Sequence, residues 1–149
     1  MVAVQPASRW LHVAAAARPS PAGPVVIAVV LREPGAGAPR VLVRTVRPNA
    51  TPAAHRALLA ALWAARRARA RRIVVGVDDP GVVAQVAGQA EVPPGAVVAV
   101  LQLRALLNAF DDARLQWVRP QENDAVFAAS AARTTRTPVY CDLPLWAVS

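Results

Sequence analysis

The sequence predicts an α/β domain built on one mixed β-sheet, and three observations carry that prediction. The first fifty residues hold short β-branched runs separated by glycine and proline turns. From Thr51 onward the apolar residues change to helical spacing. A continuous apolar run, Ile73 to Val77, then follows the first helix in the manner of a parallel strand buried on both faces. The chain has 149 residues, 55% hydrophobic and 17% charged, enough for one core without disulfide or metal staples.

Trp10 to Val13 is the first strand, and Arg18 to Pro24 is a turn rich in proline and glycine. Val25 to Leu31 and Val41 to Val46 are the second and third strands, separated by the Glu33 to Pro39 turn, so the three form an antiparallel meander. Thr51 as cap and Pro52 at the first helical position open a helix whose Leu58, Leu59, Leu62 and Trp63 share an apolar face. Arginines load its C-terminal end, where they oppose the negative pole of the helix dipole. Ile73 to Val77 is the fourth strand and stops at Asp78-Asp79-Pro80. Gly81 to Ala90 is a short helix, Ala96 to Phe110 a longer one, and Leu115 to Val118 a fifth strand. Pro120 to Asp124 is a turn, and Asp124 to Ala132 the last helix. Residues 1–133 make the domain, and 134–149 an extended C-terminal tail containing Tyr140, Cys141 and Trp146.

All seventeen basic residues are arginine, and nine acidic ones leave a net charge of +8. Such a balance points to a polyanionic partner such as nucleic acid. The same lysine-free composition, rich in Ala, Arg, Pro and Val, is also a product of GC-rich coding, which says nothing of partners. One cysteine, Cys141, excludes an intrachain disulfide and a CxxC site; it reads as a buried thiol. His12 and His55 lack zinc-binding spacing. The longest clean apolar stretch near the N-terminus, Val25 to Leu31, suits a strand and is too short for a membrane span, so the expected setting is the cytoplasm, away from membranes.

The element order resembles that of the ribonuclease H family. In that family an Asp-Gly turn and a glycine/proline run follow the first strand; here Ala14-Ala15 stand at those positions, and Ser20-Pro21-Ala22-Gly23-Pro24 follows without a gap. Ala53-Ala54-His55 with Ala57-Leu58 is similar to the family's first long helix. Ala70-Arg71-Arg72-Ile73-Val74-Val75, leading to Asp78, is similar to the shorter bacterial and archaeal members. Trp117-Val118-Arg119-Pro120-Gln121-Glu122-Asn123 resembles the final catalytic segment. The resemblance runs from about Trp10 to Arg133 and implies a five-stranded mixed sheet with helices on both faces.

It also implies a chemistry, two magnesium ions that activate water for phosphodiester hydrolysis. Their hard-oxygen ligands come from four elements, and the matching positions here are Ala14, Ala54, Asp78 and Phe127. Only Asp78 is a carboxylate, and it cannot hold two dications alone. No acidic residue precedes Glu33 or lies between Glu33 and Asp78, so no local shift of register refills the first strand or first helix. Asp79, Glu122 and Asp124 are the substitutes for a displaced single-metal site. The competing reading makes Asp79 a turn and helix cap and Asp124 a helix-start residue. His55, one residue beyond Ala54, is expected to face away from the old metal site, and His12 to be a packed or half-exposed strand residue.

The leading expectation is therefore a catalytically degenerate ribonuclease-H-like pseudoenzyme without a cofactor. It would bind an RNA/DNA hybrid or double-stranded RNA through arginine–phosphate contacts. Arg18, Arg66, Arg67, Arg69, Arg71 and Arg72 are the candidate phosphate contacts, with Ser20, Asn49 and Thr51 as polar neighbours. A second reading is a protein-interaction or homodimeric module using an apolar former active-site cleft lined by Ala14, Ala54 and Phe127. A third is an active Mg2+-dependent ribonuclease H with a non-standard site around Asp78.

Overall fold

The computed structural model describes residues 9–20, 23–35 and 37–134. Five strands form one sheet: β1 (Trp10–Pro19), β2 (Val25–Arg32), β3 (Arg40–Val46), β4 (Arg72–Val77) and β5 (Asp112–Trp117). Their order is β3-β2-β1-β4-β5. The meander β1-β2-β3 is antiparallel, while β4 and β5 run parallel to β1, so the expected mixed sheet is present. Four α-helices connect and cover it: α1 (Ala53–Arg67), α2 (Pro80–Val86), α3 (Val97–Asn108) and α4 (Asp124–Thr134). The expected tail, with Cys141, lies outside the described residues.

Several boundaries differ from the sequence reading, each for a local reason. The first strand runs six residues past Val13 to Pro19. Alanine favours strands weakly, but Ala14 and Ala15 lie between β2 and β4, and Ala16 and Ala17 continue the ladder with β2. Ala14-Ala15 is consequently mid-strand and forms no turn. The reversal is confined to the residues after β1, where the Ser20 N–H donates to the Pro24 carbonyl at 2.8 Å and Gly23 adopts a φ of 99°. Helix α1 begins one residue later than expected. Pro52 is its cap in an extended conformation, and the Thr51 N–H donates instead to Asn49 Oδ1 at 2.9 Å. Asp79 starts α2 and the helix ends at Val86; α3 is trimmed to Val97–Asn108 by a 3-10 turn at Pro94–Ala96. The fifth strand lies earlier than expected, over Asp112–Trp117.

The sheet separates two unequal layers. Leu11, Val13, Ile27, Val29, Ile73 and Val75 point to the α1–α3 side, where they pack with Leu58, Leu62 and Leu103 in the main core. On the other side Ala16, Ala28, Val30 and Val43 meet Ala125 and Ala129 of α4. Alanine on both surfaces lets helix and sheet approach closely. Asn123, 1% exposed, pins the helix start: its Nδ2 donates to the Ala15 carbonyl at 3.2 Å and its Oδ1 accepts from the Ala125 N–H at 2.9 Å.

Helix α4 packs on β1, β2 and β3. Among the described residues no helix covers that face of β4 and β5, which corrects the expectation of a fourth strand buried on both faces. Arg72 and Val74 are half-buried there, and Arg114 and Gln116 are exposed. Gly76 is covered by Val118, whose Cγ2 lies 2.7 Å from where a Cβ on Gly76 would stand. Gly76→Ala should therefore destabilise the domain by about 1–3 kcal/mol in urea denaturation, with Val118→Ala in the same chain recovering part of the loss.

Candidate functional site

Because β1 and β4 are parallel neighbours, their C-terminal ends emerge side by side. Arg18 lies near the end of β1 and Asp78 immediately after β4. The Arg18 Nη2 donates to Asp78 Oδ2 at 2.6 Å, and Arg18 Nη1 donates to the Ala17 carbonyl at 2.8 Å. The two side chains are 23% and 13% exposed, so the pair is mostly withdrawn from solvent. From β5, the Trp117 indole N–H donates to the Asp78 carbonyl at 3.2 Å. Asp79 is the α2 cap: its Oδ1 accepts from the Gly81 N–H at 2.8 Å and the Val82 N–H at 3.4 Å.

The other positions implied by the resemblance do not supply ligands. Ala14 opens on the α4 side of the sheet, while Ala54 packs against the main core on the opposite side. Phe127 is 60% exposed on α4. The three do not line a common cleft, which corrects the apolar cleft expected of them. Asp124 is bonded to Arg32 at 2.7 Å. Among the described residues no three His, Cys, Asp or Glu side chains converge in a way that could hold a metal ion. Magnesium needs several hard oxygen ligands, and the one inherited carboxylate already faces a guanidinium. These residues do not fit a two-metal centre.

The arginine run divides between different surfaces. Arg66 lies over the Trp63 ring at 5.4 Å. Arg67 is exposed at the end of α1, and Arg69 holds a left-handed turn with φ 58°. Arg71 pairs with Asp111 at 3.4 Å on the exposed surface, and Arg72 points to the opposite face of the sheet, over Trp10 at 5.9 Å. The run sits at the N-terminal end of β4, about 20 Å of strand from Asp78. Ser20, Asn49 and Thr51 lie outside it, in the turn after β1 and the approach to α1.

His55 is buried on α1, with Nε2 2.7 Å from Gln85 Oε1 of α2, while its buried Nδ1 has no partner among the described residues. Its neighbour Arg56 is also buried and donates to the Arg47 carbonyl. Burial, and then the nearby Arg44, hold the Arg56 pKa below its ordinary value. His12 is exposed and lines a cavity of about 110 Å³. That cavity is floored by Ala14, Val74 and Gly76 and flanked by Gln116, Arg32 and Asp124. Arg32, Arg114 and Gln116 are absent from the sequence-based candidates. The alternation Asp112-Ala113-Arg114-Leu115-Gln116 carries the signal that finds the latter two, since period-two polarity marks a one-sided strand.

The meander, the two parallel strands beside it and the helices on both faces define a ribonuclease-H-like domain. A family profile described as reverse transcriptase-like matches residues 16–133, and the chain belongs to that family. Its fold is similar to ribonuclease H1 from the halophilic archaeon Halobacterium salinarum NRC-1, with TM-score 0.70, 25% identity, and coverage of 80% of this chain and 92% of that one. The N-terminal ribonuclease H domain of a Mycobacterium tuberculosis protein gives TM-score 0.64 at 24% identity, covering 84% and 99%. A ribonuclease H1 designated LC11, solved with an RNA/DNA hybrid, gives 0.62 at 17%, covering 80% and 92%. No curated protein matches in sequence. No described helix is long and apolar enough to cross a membrane.

The ion pair makes a quantitative prediction. A double-mutant cycle of Arg18→Met and Asp78→Asn, read by urea denaturation, should give a coupling energy of about 1–3 kcal/mol. Coupling near zero would identify a solvated surface pair.

Proposed function

We propose that this chain is a ribonuclease-H-like binding protein that holds an RNA-containing duplex without cleaving it. The observation that carries the reading is Asp78, the one carboxylate at the four inherited positions, neutralised by Arg18 at 2.6 Å. Cleavage by two metal ions needs carboxylates to hold the metals and activate water. Binding needs only cations facing phosphates, and the chain's charge of +8 supports that. Exposed Arg66, Arg67, Arg69 and Arg71 are the proposed phosphate contacts, with Ser20, Asn49 and Thr51 as polar contacts nearer the old centre. Arg18 serves the fold through Asp78 and leaves the phosphate-binding set. The related LC11 ribonuclease H1, solved with an RNA/DNA hybrid, supports the choice of ligand.

The test measures binding and cleavage of a labelled RNA/DNA hybrid in parallel, with Mg2+ present. Binding should weaken with salt at a log–log slope of about −4 for these four phosphate contacts, and the hybrid should remain intact. Salt-independent binding, or no binding at low salt, would remove the nucleic-acid reading. Metal-dependent cleavage lost on Asp78→Ala would establish an active nuclease instead.

A second reading, an assembly module, is favoured by α3. Val97, Val98 and Leu101 are 43%, 68% and 59% exposed there, and the helix's one charged residue, Arg104, is turned onto the Gln85 and Val86 carbonyls. Sedimentation should then give a dimer that Leu101→Glu dissociates into monomers.

A further inference from the structure

We propose that the β4–β5 face left uncovered beside α4, together with Trp10 and His12 at the start of β1, is a second, single-strand-specific nucleic-acid site, with an unpaired base in the cavity and its phosphate on Arg114. This shares the premise of a nucleic-acid partner with the reading above, but it uses a different surface and a different form of the ligand.

The sheet register builds the site. Trp10 lies beside Arg72, His12 beside Val74, and Ala14 beside Gly76; across β4, Val74 lies beside Arg114 and Gly76 beside Gln116. All these side chains or positions belong to the face that α4 covers only at β1, β2 and β3. Ala14 and Val74 give the cavity an uncharged, small-residue floor, Val118 lies over Gly76 beside them, and His12 and Gln116 complete the lining. A flat, sequence-tolerant aromatic base fits such a floor, and the Gln116 amide offers both a donor and an acceptor to its edge.

The cation is prepared in advance. The Arg114 guanidinium lies over the Trp10 ring at 4.5 Å, and Arg72 lies over the same ring at 5.9 Å. Stacking orients a planar guanidinium and leaves its N–H edge available to a phosphate. Among the described residues the Arg114 side chain makes no hydrogen bond or ion pair, and the side-chain polar atoms of His12 and Gln116 make none either. Charge also sets which end of the site takes the phosphate. Asp124 is neutralised by Arg32, but Glu122 is exposed at the α4 end of the cavity and repels phosphate, so the phosphate belongs at the Trp10 end. A duplex presents its bases paired and stacked, and cannot place one on this floor without opening.

The experiment measures anisotropy of a labelled ten-residue oligouridylate and of an RNA/DNA hybrid at low salt. The variants are Arg114→Ala, Arg114→Glu, Gln116→Ala and the pair Arg66→Ala/Arg67→Ala. Arg114 and Gln116 are exposed, so these substitutions leave the core intact, and circular dichroism checks the fold. Oligouridylate affinity should fall about fivefold for Arg114→Ala, further for Arg114→Glu and about threefold for Gln116→Ala, while hybrid affinity changes less than twofold. The Arg66/Arg67 pair should show the reverse pattern. Oligouridylate binding that is absent, or indifferent to Arg114 and Gln116, overturns this proposal and leaves hybrid binding standing. Hybrid binding that is absent while the Arg114-dependent single-strand binding persists overturns the duplex reading alone. Equal losses for both ligands on Arg114→Glu would mean one shared electrostatic surface and would also overturn a separate site.

Discussion

The ion pair between Arg18 and Asp78 is the constraint on which the functional reading depends. It joins the ends of two adjacent parallel strands, with the Trp117 indole fixing the Asp78 backbone from the third. In a metal-dependent centre this position would be an anion awaiting a cation. Here the cation belongs to the protein, and it comes from the strand that lacks its own carboxylate at Ala14. A guanidinium forms directed hydrogen bonds and is charged at every ordinary pH, so it can satisfy a carboxylate without recruiting an ion from solution. An alanine at position 14 and the pairing of Asp78 with Arg18 are both consistent with the binding function proposed above.

The unequal coverage of the sheet has the second largest consequence. One face is closed by three helices over a branched aliphatic core, and the other by a single helix whose alanines allow close packing. That helix is anchored through Asn123 to β1, at the centre of the sheet, and therefore leaves β4 and β5 uncovered beside it. Positive charge is distributed accordingly. Part of it lies at the α1–β4 corner, part over Trp10 on the open face, and part in pairs such as Arg32–Asp124. A formal charge of +8 is consequently several surfaces of different chemistry.

The order of elements was legible in the sequence because the spacing of apolar residues changes sharply at Thr51 and again at Ile73. The residues at the positions that the resemblance singles out, Ala14, Ala54, Asp78 and Phe127, could be named from the sequence too, once the resemblance is drawn. The extension of β1 through Ala14 to Ala17 was not legible, because its neighbours impose the strand conformation on residues that favour it weakly. Nor could spacing reveal Arg18 against Asp78, sixty residues apart, or Asn123 against Ala15. The open face of β4 was hidden by its composition: Ile73-Val74-Val75-Gly76-Val77 reads as buried on both sides, whereas Val118 covers only part of the second side and a small cavity opens beside it. The polar alternation along β5 contained that information and pointed to Arg114 and Gln116.

The most direct test of a centre closed by its own arginine is amide line broadening on titration with paramagnetic Mn2+, a substitute for Mg2+. A closed Arg18–Asp78 pair predicts no preferential broadening at Ala14, Val77 and Asp78 in the wild-type chain. Selective, saturable broadening of those amides, abolished by Asp78→Asn, would contradict it and restore a metal to the site.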